Sequence, residues 1–226
     1  MANDLQAANA VKKEKAALLK RAAASFVACW HEHEQAKAHE QVLFELAWNE
    51  RDRPKRSKAM EDLASRARAF AVRAHGNQQR KYEKVPYVTH LDRVVALLKD
   101  HDYDAQHLVA AAYLHDTLED TETTLQQLID EFGGEVAELV YWLSDLEKGT
   151  RKTRKKMSAW RLSRAPLEAK LIKLADLADN TPSIVEHDPD FAKVYLAEKT
   201  FILSEMARVE GDKLAGLPLF KLAGGS

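Results

Sequence analysis

The chain has 226 residues and a formal net charge of −1, so its overall charge gives no reason to expect nucleic acid or an anionic membrane as a partner. With 46% hydrophobic and 31% charged residues, its composition is typical of a soluble globular protein. The single cysteine, Cys29, excludes an internal disulfide, and the polar N-terminus lacks the apolar core of a signal peptide. We therefore expect a cytoplasmic protein that does not enter a membrane.

Helical periodicity dominates the sequence, because Gly and Pro are scarce and β-branched residues do not alternate. Residues 5–48 predict two long helices, and Pro54 in the charged run 51–58 indicates a linker. Further helices are predicted over residues 59–78, 91–99, 107–119, 135–147 and 190–209, and after Pro166. The predicted fold class is therefore all-α.

Composition shifts divide the chain into a helical extension (residues 1–55), a helical domain (56–212) and a tail (213–226). The tail is expected to fray after Phe220. The extension could cap the domain, bind a partner or mediate a homodimer, and the sequence does not choose among these. Within the domain, Thr124 and Gln127 predict a capping box for a helix that Gly133 ends.

The stretch AAYLHDTLEDTETT, residues 111–124, places one imidazole and three carboxylates directly after an apolar run. On a helix, His115 and Glu119 are four residues apart, and so are Asp116 and Asp120, so the pairs project from neighbouring faces. Carboxylates at a helix C-terminus oppose the helix dipole and repel one another. A bound divalent cation would compensate, and a solvated helix end with one incidental histidine is the alternative.

Two more polar residues lie beside apolar helix faces. Asp176, in KLIKLADLADN, adjoins a buried-looking stripe of leucines and alanines, and His90 begins a helix in PYVTH. An inward carboxylate is costly unless it is paired or bound to a metal. Together with the His115–Asp116 pair, these residues offer the mixed nitrogen and oxygen ligands that suit Mn, Fe, Zn or a related divalent ion.

Five motifs in this order resemble a known family: RAHGNQQRK, PYVTH, YLHDTLEDT, FGGEV and IKLADLADN. The chain resembles the HD-domain phosphohydrolases over about residues 59–206. More narrowly, it is similar to the (p)ppGpp hydrolase domain of RelA/SpoT proteins and to small stand-alone hydrolases like the metazoan SpoT homologue. The resemblance implies a compact HD-domain helical bundle, with the N-terminal helical extension lying outside the family's pattern.

The resemblance also implies a role for each motif residue. It implies one metal ion, usually Mn²⁺ although another divalent metal is possible, and an attacking water that two further carboxylates handle. It implies that a basic pair approaches the base and phosphates of a nucleotide, while an asparagine contacts the sugar and a tyrosine contacts the substrate. In this chain these are the metal ligands His90, His115, Asp116 and Asp176, the water-handling Glu119 and Asp120, and the substrate-binding Arg80, Lys81, Asn180 and Tyr195.

The expected activity is hydrolysis that removes pyrophosphate from the 3′ position of a guanosine alarmone such as (p)ppGpp, the messenger of the stringent response. Leu177 and Pro182 stand where relatives often carry basic residues, which leaves the substrate open. The alternatives are a phosphohydrolase for another nucleotide, such as NADPH or a nucleoside phosphate, and a non-catalytic nucleotide-sensing module.

Two other features have competing interpretations. The basic run KGTRKTRKK, residues 148–156, is either a solvated loop or a segment that contacts phosphate. His75 is expected to pack against a neighbouring helix or to support the metal site from behind, rather than to bind the metal.

Overall fold

A computed structural model describes residues 63–225, so the predicted extension helices and linker lie outside the described residues. The described part is built of helices joined by turns, with one isolated antiparallel bridge between Gln79 and Pro86. The all-α prediction is confirmed. The helices are α1 (Leu63–His75), α2 (Val88–Lys99), α3 (Gln106–Leu114), α4 (Thr117–Asp120), α5 (Leu125–Phe132), α6 (Gly134–Leu143), α7 (Arg151–Arg164), α8 (Leu167–His187), α9 (Pro189–Glu210), α10 (Asp212–Ala215) and α11 (Pro218–Leu222).

Two helices, α3 and α8, form the centre of the domain. Six of the nine residues of α3 are buried, because the sequence from Leu108 onward is apolar on most sides. Helix α1 packs against α3, α2 packs against α8, and α7 packs against α9. None of the described helices combines the length and apolar character needed to cross a bilayer. The two central helices carry His115 and Asp176 into the interior.

Local signals set several helix ends as predicted. The Thr124 side chain accepts a hydrogen bond from the Gln127 backbone N–H, and the Gln127 side chain accepts one from the Thr124 N–H, so the capping box is confirmed. Gly133 ends α5 with a φ of 98°, a conformation that favours glycine. Pro189 begins α9, and Asp188 caps it by accepting from the Phe191 N–H.

The structure corrects three predicted elements. The helix predicted over residues 107–119 is interrupted after Leu114, and a short second helix begins at Thr117, whose hydroxyl donates to the Leu114 carbonyl at 2.7 Å. The basic run is not all loop, because Thr150 caps α7 and the chain is helical from Arg151. The tail does not fray after Phe220, since α11 continues to Leu222 and Ala223 is buried.

Candidate metal centre and active-site cleft

Three side chains that are distant in sequence converge at the centre of the bundle. His90 is in the first turn of α2, His115 directly follows α3, and Asp176 is in the middle of α8; all three are buried. The Asp176 Oδ1 atom lies 3.3 Å from His90 Nε2 and 3.8 Å from His115 Nε2. One ligand atom from each residue lies within 4.8 Å of the other two, a spacing that can hold a metal ion.

The hydrogen bonds of the two imidazoles fix which nitrogen faces this centre. His90 Nδ1 is 2.6 Å from Asp179 Oδ2, and His115 Nδ1 is 2.8 Å from the Ala112 carbonyl. Because both partners can only accept, each Nδ1 carries a proton. Both Nε2 atoms are buried and make no well-formed hydrogen bond. A ring held through Nδ1–H with Nε2 directed at carboxylates is the arrangement of a metal-binding histidine, so the residues fit a metal.

Asp116 supplies a fourth potential ligand. Its Oδ2 atom lies 3.1 Å from His115 Nε2 and 3.7 Å from His90 Nε2. The same oxygen accepts a 2.5 Å hydrogen bond from the Tyr87 hydroxyl, and the Tyr87 ring stacks on His75 at 4.5 Å between centroids. His75 therefore supports the site through Tyr87 and does not reach the centre itself. The structure brings together all four residues that the resemblance proposed as ligands.

The charged groups of this centre shift one another's pKa values. Burial alone would raise the pKa of Asp176, but Lys173 and then the two histidines lower it well below its usual range. Burial also opposes the charged form of His115, yet Asp116 and Asp176 raise its pKa well above the usual value. A divalent cation bound at this centre would compete with protons for the two imidazoles, because histidine binds a metal in its neutral form.

The two carboxylates expected to handle water lie at the mouth of the same cleft. The Asp145 backbone N–H donates to Glu119 Oε1 at 2.5 Å. Although Glu119 as a whole is exposed, its carboxyl group is enclosed by the cleft, and burial with the charges of Asp116 and Asp145 raises its pKa to about 7. Asp120 Oδ2 accepts from Gln78 Nε2 at 3.1 Å. Both residues line the cleft beside Asp116.

The cleft is a cavity of about 270 Å³, and α7, α8 and α9 contribute most of its lining residues. Asn180 donates to Asp176 Oδ1 at 2.5 Å, and Arg80 donates to Asn180 Oδ1 at 2.7 Å from behind. Lys81 is 71% exposed, pairs with Asp188 at 3.4 Å and does not line the cavity. Of the four proposed substrate contacts, the cavity wall thus includes Asn180 and Tyr195.

Four cations line the walls, and three of them are held by carboxylates. Lys173 donates to Asp176 at 2.8 Å, and Lys155 donates to Asp145 at 2.6 Å. Arg151 makes a two-pronged pair with Glu198, at 2.8 and 2.7 Å. The basic run therefore reaches the cleft through its helical part. The four are Arg151, Lys155, Lys173 and Lys199.

Sequence reasoning missed several residues that the structure places at the site. Lys173 could have been found, because it precedes Asp176 by three residues on one helix face. Asp179 contacts His90 across 89 positions of sequence, and nothing local indicates that contact. The full set is Tyr87, Asp145, Lys173, Asp179 and Lys199.

The chain is similar to known proteins. A family model described as "HD domain" matches residues 67–203. Human MESH1, named guanosine-3′,5′-bis(diphosphate) 3′-pyrophosphohydrolase, is 36% identical over 124 residues, which is 54% of this chain and 69% of that protein. The GTP pyrophosphokinase rsh of Brucella ovis is 34% identical over 148 residues, 62% of this chain, and the match spans 19% of its length.

A solved structure agrees as well. The structure titled as a metazoan orthologue of SpoT that hydrolyses ppGpp superposes with a TM-score of 0.63 at 24% identity, covering 74% of this chain and 94% of that one. At this level of identity the likeness establishes the common fold. The predicted HD-type helical bundle is thereby confirmed.

Proposed function

The chain belongs to the HD-domain family, and we propose that it is a metal-dependent hydrolase that removes pyrophosphate from the 3′ position of a guanosine alarmone such as (p)ppGpp. The observation that carries this proposal is the meeting of two buried, unbonded imidazole Nε2 atoms with two carboxylates at the floor of a cation-lined cleft. The named activity of MESH1 supports the choice of substrate.

The proposed metal ligands are His90, His115, Asp116 and Asp176, and the proposed metal is Mn²⁺. A divalent ion bound there would supply charge neutralisation for a phosphoryl group and lower the pKa of water toward neutrality. The protein's own contribution is to hold the ligands rigidly. His90 and His115 are fixed through Nδ1, and Asp116 is fixed by the Tyr87 hydroxyl.

Glu119 is the proposed general base. A carboxyl group with a pKa of about 7 is matched to accepting a proton from water near neutral pH. The Asp145 N–H holds one Glu119 oxygen, so the other is free to face a water in the cleft. Asp120 would orient that water from the adjacent turn, where Gln78 fixes its carboxylate.

The cations of the cleft wall suit a phosphorylated substrate. We propose that Lys155 and Arg151 approach the phosphates, with Glu198 releasing Arg151 when the substrate binds. Asn180 is proposed to contact the sugar, and Arg80 keeps its amide oriented. Lys81 lies 4.6 Å from the Tyr82 ring centre at the rim, where it is proposed to meet the base.

A substrate panel tests the proposal. Purified protein with Mn²⁺ is incubated with ppGpp, pppGpp, NADPH and nucleoside phosphates, and products are identified. We expect pyrophosphate and GDP from ppGpp. Product from NADPH alone would replace the alarmone by the second candidate, a choice that the uncharged Leu177 in the cleft wall leaves open.

Variants separate ligands from catalytic groups. His115→Ala should abolish metal binding and turnover, whereas His107→Ala, a histidine outside the cleft lining, should change neither. Glu119→Gln should keep the metal while slowing hydrolysis about 10²–10⁴-fold, the usual contribution of a positioned acid–base group. Undiminished turnover by the His115 variant, with metal content measured, would reject the proposed centre.

If no nucleotide in the panel is hydrolysed but one binds, the sensing module becomes the better description.

A further inference from the structure

Lys199 stands apart from the other cations of the cleft. It is in α9, one turn after Tyr195 and one turn before Ile202, and all three residues line the cavity. The residue is only 8% exposed. A lysine this buried is uncommon unless its charge is compensated by a partner.

Among residues 63–225, no carboxylate lies within ion-pairing distance of Lys199, unlike Arg151, Lys155 and Lys173. Its ammonium makes one hydrogen bond, to Thr181 Oγ1 at 3.2 Å. Burial without a nearby anion lowers the pKa of Lys199. Among the described residues, the positive charge of Lys199 is therefore compensated only by the Thr181 hydroxyl.

The surroundings of the ammonium match an anion. Thr181 Oγ1, which accepts from the ammonium, lies 3.4 Å from the Tyr195 hydroxyl, so a second hydroxyl lies close to the positive charge. The C-terminal turn packs behind it: Gly224 has a φ of +86°, and a Cβ there would lie 3.1 Å from Lys199 Nζ. Lys199 also lines the cleft, from which an anion can approach.

The subsite adjoins the proposed metal centre. The Thr181 hydroxyl donates to the Leu177 carbonyl at 2.6 Å, and Leu177 is the residue after Asp176. Helix α8 itself offers no cation at Leu177 or Pro182, so the positive charge at this end of the cleft comes from α9. A ligand that spans from the centre to Lys199 must carry negative charge at both ends.

We propose that Lys199, with the neighbouring Tyr195 hydroxyl and with Thr181 holding the ammonium in place, forms a binding subsite for a phosphate group of the substrate other than the one that is cleaved. The proposal rests on the proposed function, and for a guanosine alarmone this group is the 5′-diphosphate. Lys199 thereby selects nucleotides that are phosphorylated at two positions.

Kinetics with matched substrates test this assignment. Lys199→Met removes the charge but keeps the length, Lys199→Arg keeps the charge, and Lys193→Met alters an exposed lysine of the same helix. With Mn²⁺, Lys199→Met should raise the KM for ppGpp about tenfold or more, which corresponds to losing one charge-assisted hydrogen bond. The kcat of Lys199→Met for ppGpp should stay unchanged. For guanosine 3′-diphosphate, which lacks 5′-phosphates, both the KM and the kcat of this variant should stay unchanged. The KM of Lys199→Arg for ppGpp should lie between the values of Lys199→Met and the wild type. The KM of Lys193→Met should match that of the wild type.

A binding measurement keeps the two proposals separable. Inorganic pyrophosphate is titrated into the metal-free full-length protein by calorimetry, which requires neither turnover nor a particular nucleoside. Lys199→Met should weaken binding several-fold, and Lys193→Met should not. An unchanged dissociation constant in Lys199→Met, or an equal rise in KM for both guanosine substrates, would overturn the subsite. Failure of the wild type to hydrolyse any guanosine 3′-diphosphate would overturn the proposed function alone.

Thermal melting provides the folding control. Because Lys199→Met removes an uncompensated buried charge, its melting temperature should equal or exceed that of the wild type. A clear drop would mean that the ammonium serves the fold, and would count against the subsite.

Discussion

Replacing Asp179 by asparagine should weaken metal binding without touching a proposed ligand. The Asp179 side chain is only 7% exposed, and its Oδ2 atom accepts a hydrogen bond from His90 Nδ1 at 2.6 Å. Its other oxygen accepts from Arg93 Nε at 2.6 Å. Asparagine keeps the size and one carbonyl oxygen but removes the negative charge. His90 should therefore stay near its position, while its Nε2 atom becomes a weaker ligand for the metal.

The magnitude follows from the contacts. Loss of the carboxylate behind a metal-binding histidine typically costs about 10–100-fold in metal affinity, or roughly 1.4–2.8 kcal/mol. The loss to folding should be smaller, because Arg93 also pairs with Glu83 at 2.9 Å and is not left without an anion. The substitution should therefore change the holoprotein more than the metal-free protein.

Calorimetric titration of Mn²⁺ into wild type and Asp179→Asn measures the effect. Asp92→Asn is the matched control, because Asp92 forms an ion pair with Arg68 at 2.7 Å on the exposed side of the domain. The stabilisation that saturating Mn²⁺ confers on the melting temperature gives a second readout, since it depends on the dissociation constant. A dissociation constant within twofold of the wild type, or an equal loss of stability with and without metal, would refute the reasoning.

Other perturbations test separate parts of the structure. Tyr87→Phe deletes the hydrogen bond to Asp116 and should weaken Mn²⁺ binding by about 1 kcal/mol in the same titration; unchanged affinity would remove Tyr87 from the site. Glu210→Ala leaves the buried Lys170 without its partner and should destabilise the protein by about 3 kcal/mol, or roughly 6–12 °C in melting temperature. Adding Lys170→Met to the same chain should restore most of the lost stability. A loss below 3 °C would contradict this. In the metal-free protein, the raised pKa of Glu119 means that folding favours the protonated carboxyl group. The contribution of Glu119 to the free energy of unfolding is therefore present below about pH 4.5 and is lost as the pH rises through 7. Glu119→Gln should therefore gain stability relative to wild type as melts are moved from pH 4.5 to 8, and a pH-independent difference would exclude this titration.

The proposed ligands were predictable where polar residues interrupt apolar helix faces. His115, Asp116 and Asp176 each adjoin buried positions of α3 or α8, and a charged group there requires compensation. The interruption of the helix after Leu114 was not predictable from periodicity, because the apolar spacing continues through Leu118. That interruption lets Asp116 turn toward both imidazoles while Glu119 reaches Asp145.

Supporting contacts between distant segments were beyond sequence reasoning. His90 and Asp179, or Lys199 and Thr181, meet only because helices pack side by side. Periodicity identifies which face of a helix is buried but not what a polar residue on its edge will meet. The ion pair of Lys170 and Glu210 illustrates the same limit. A lysine on a helix is normally predicted to be exposed to solvent, whereas Lys170 is buried.

The arrangement of α8 explains how one segment serves both the centre and its support. Lys173, Asp176 and Asn180 are three and four residues apart, so they form one stripe that faces the cleft. Asp179 is one position out of that stripe and faces α2, where it holds the back of His90. One helix therefore supplies a proposed ligand, orients another and carries the cation that offsets their charge. Because a rotation of α8 would misplace all of these groups together, the tight packing of its apolar face in the core is a condition for the site's geometry.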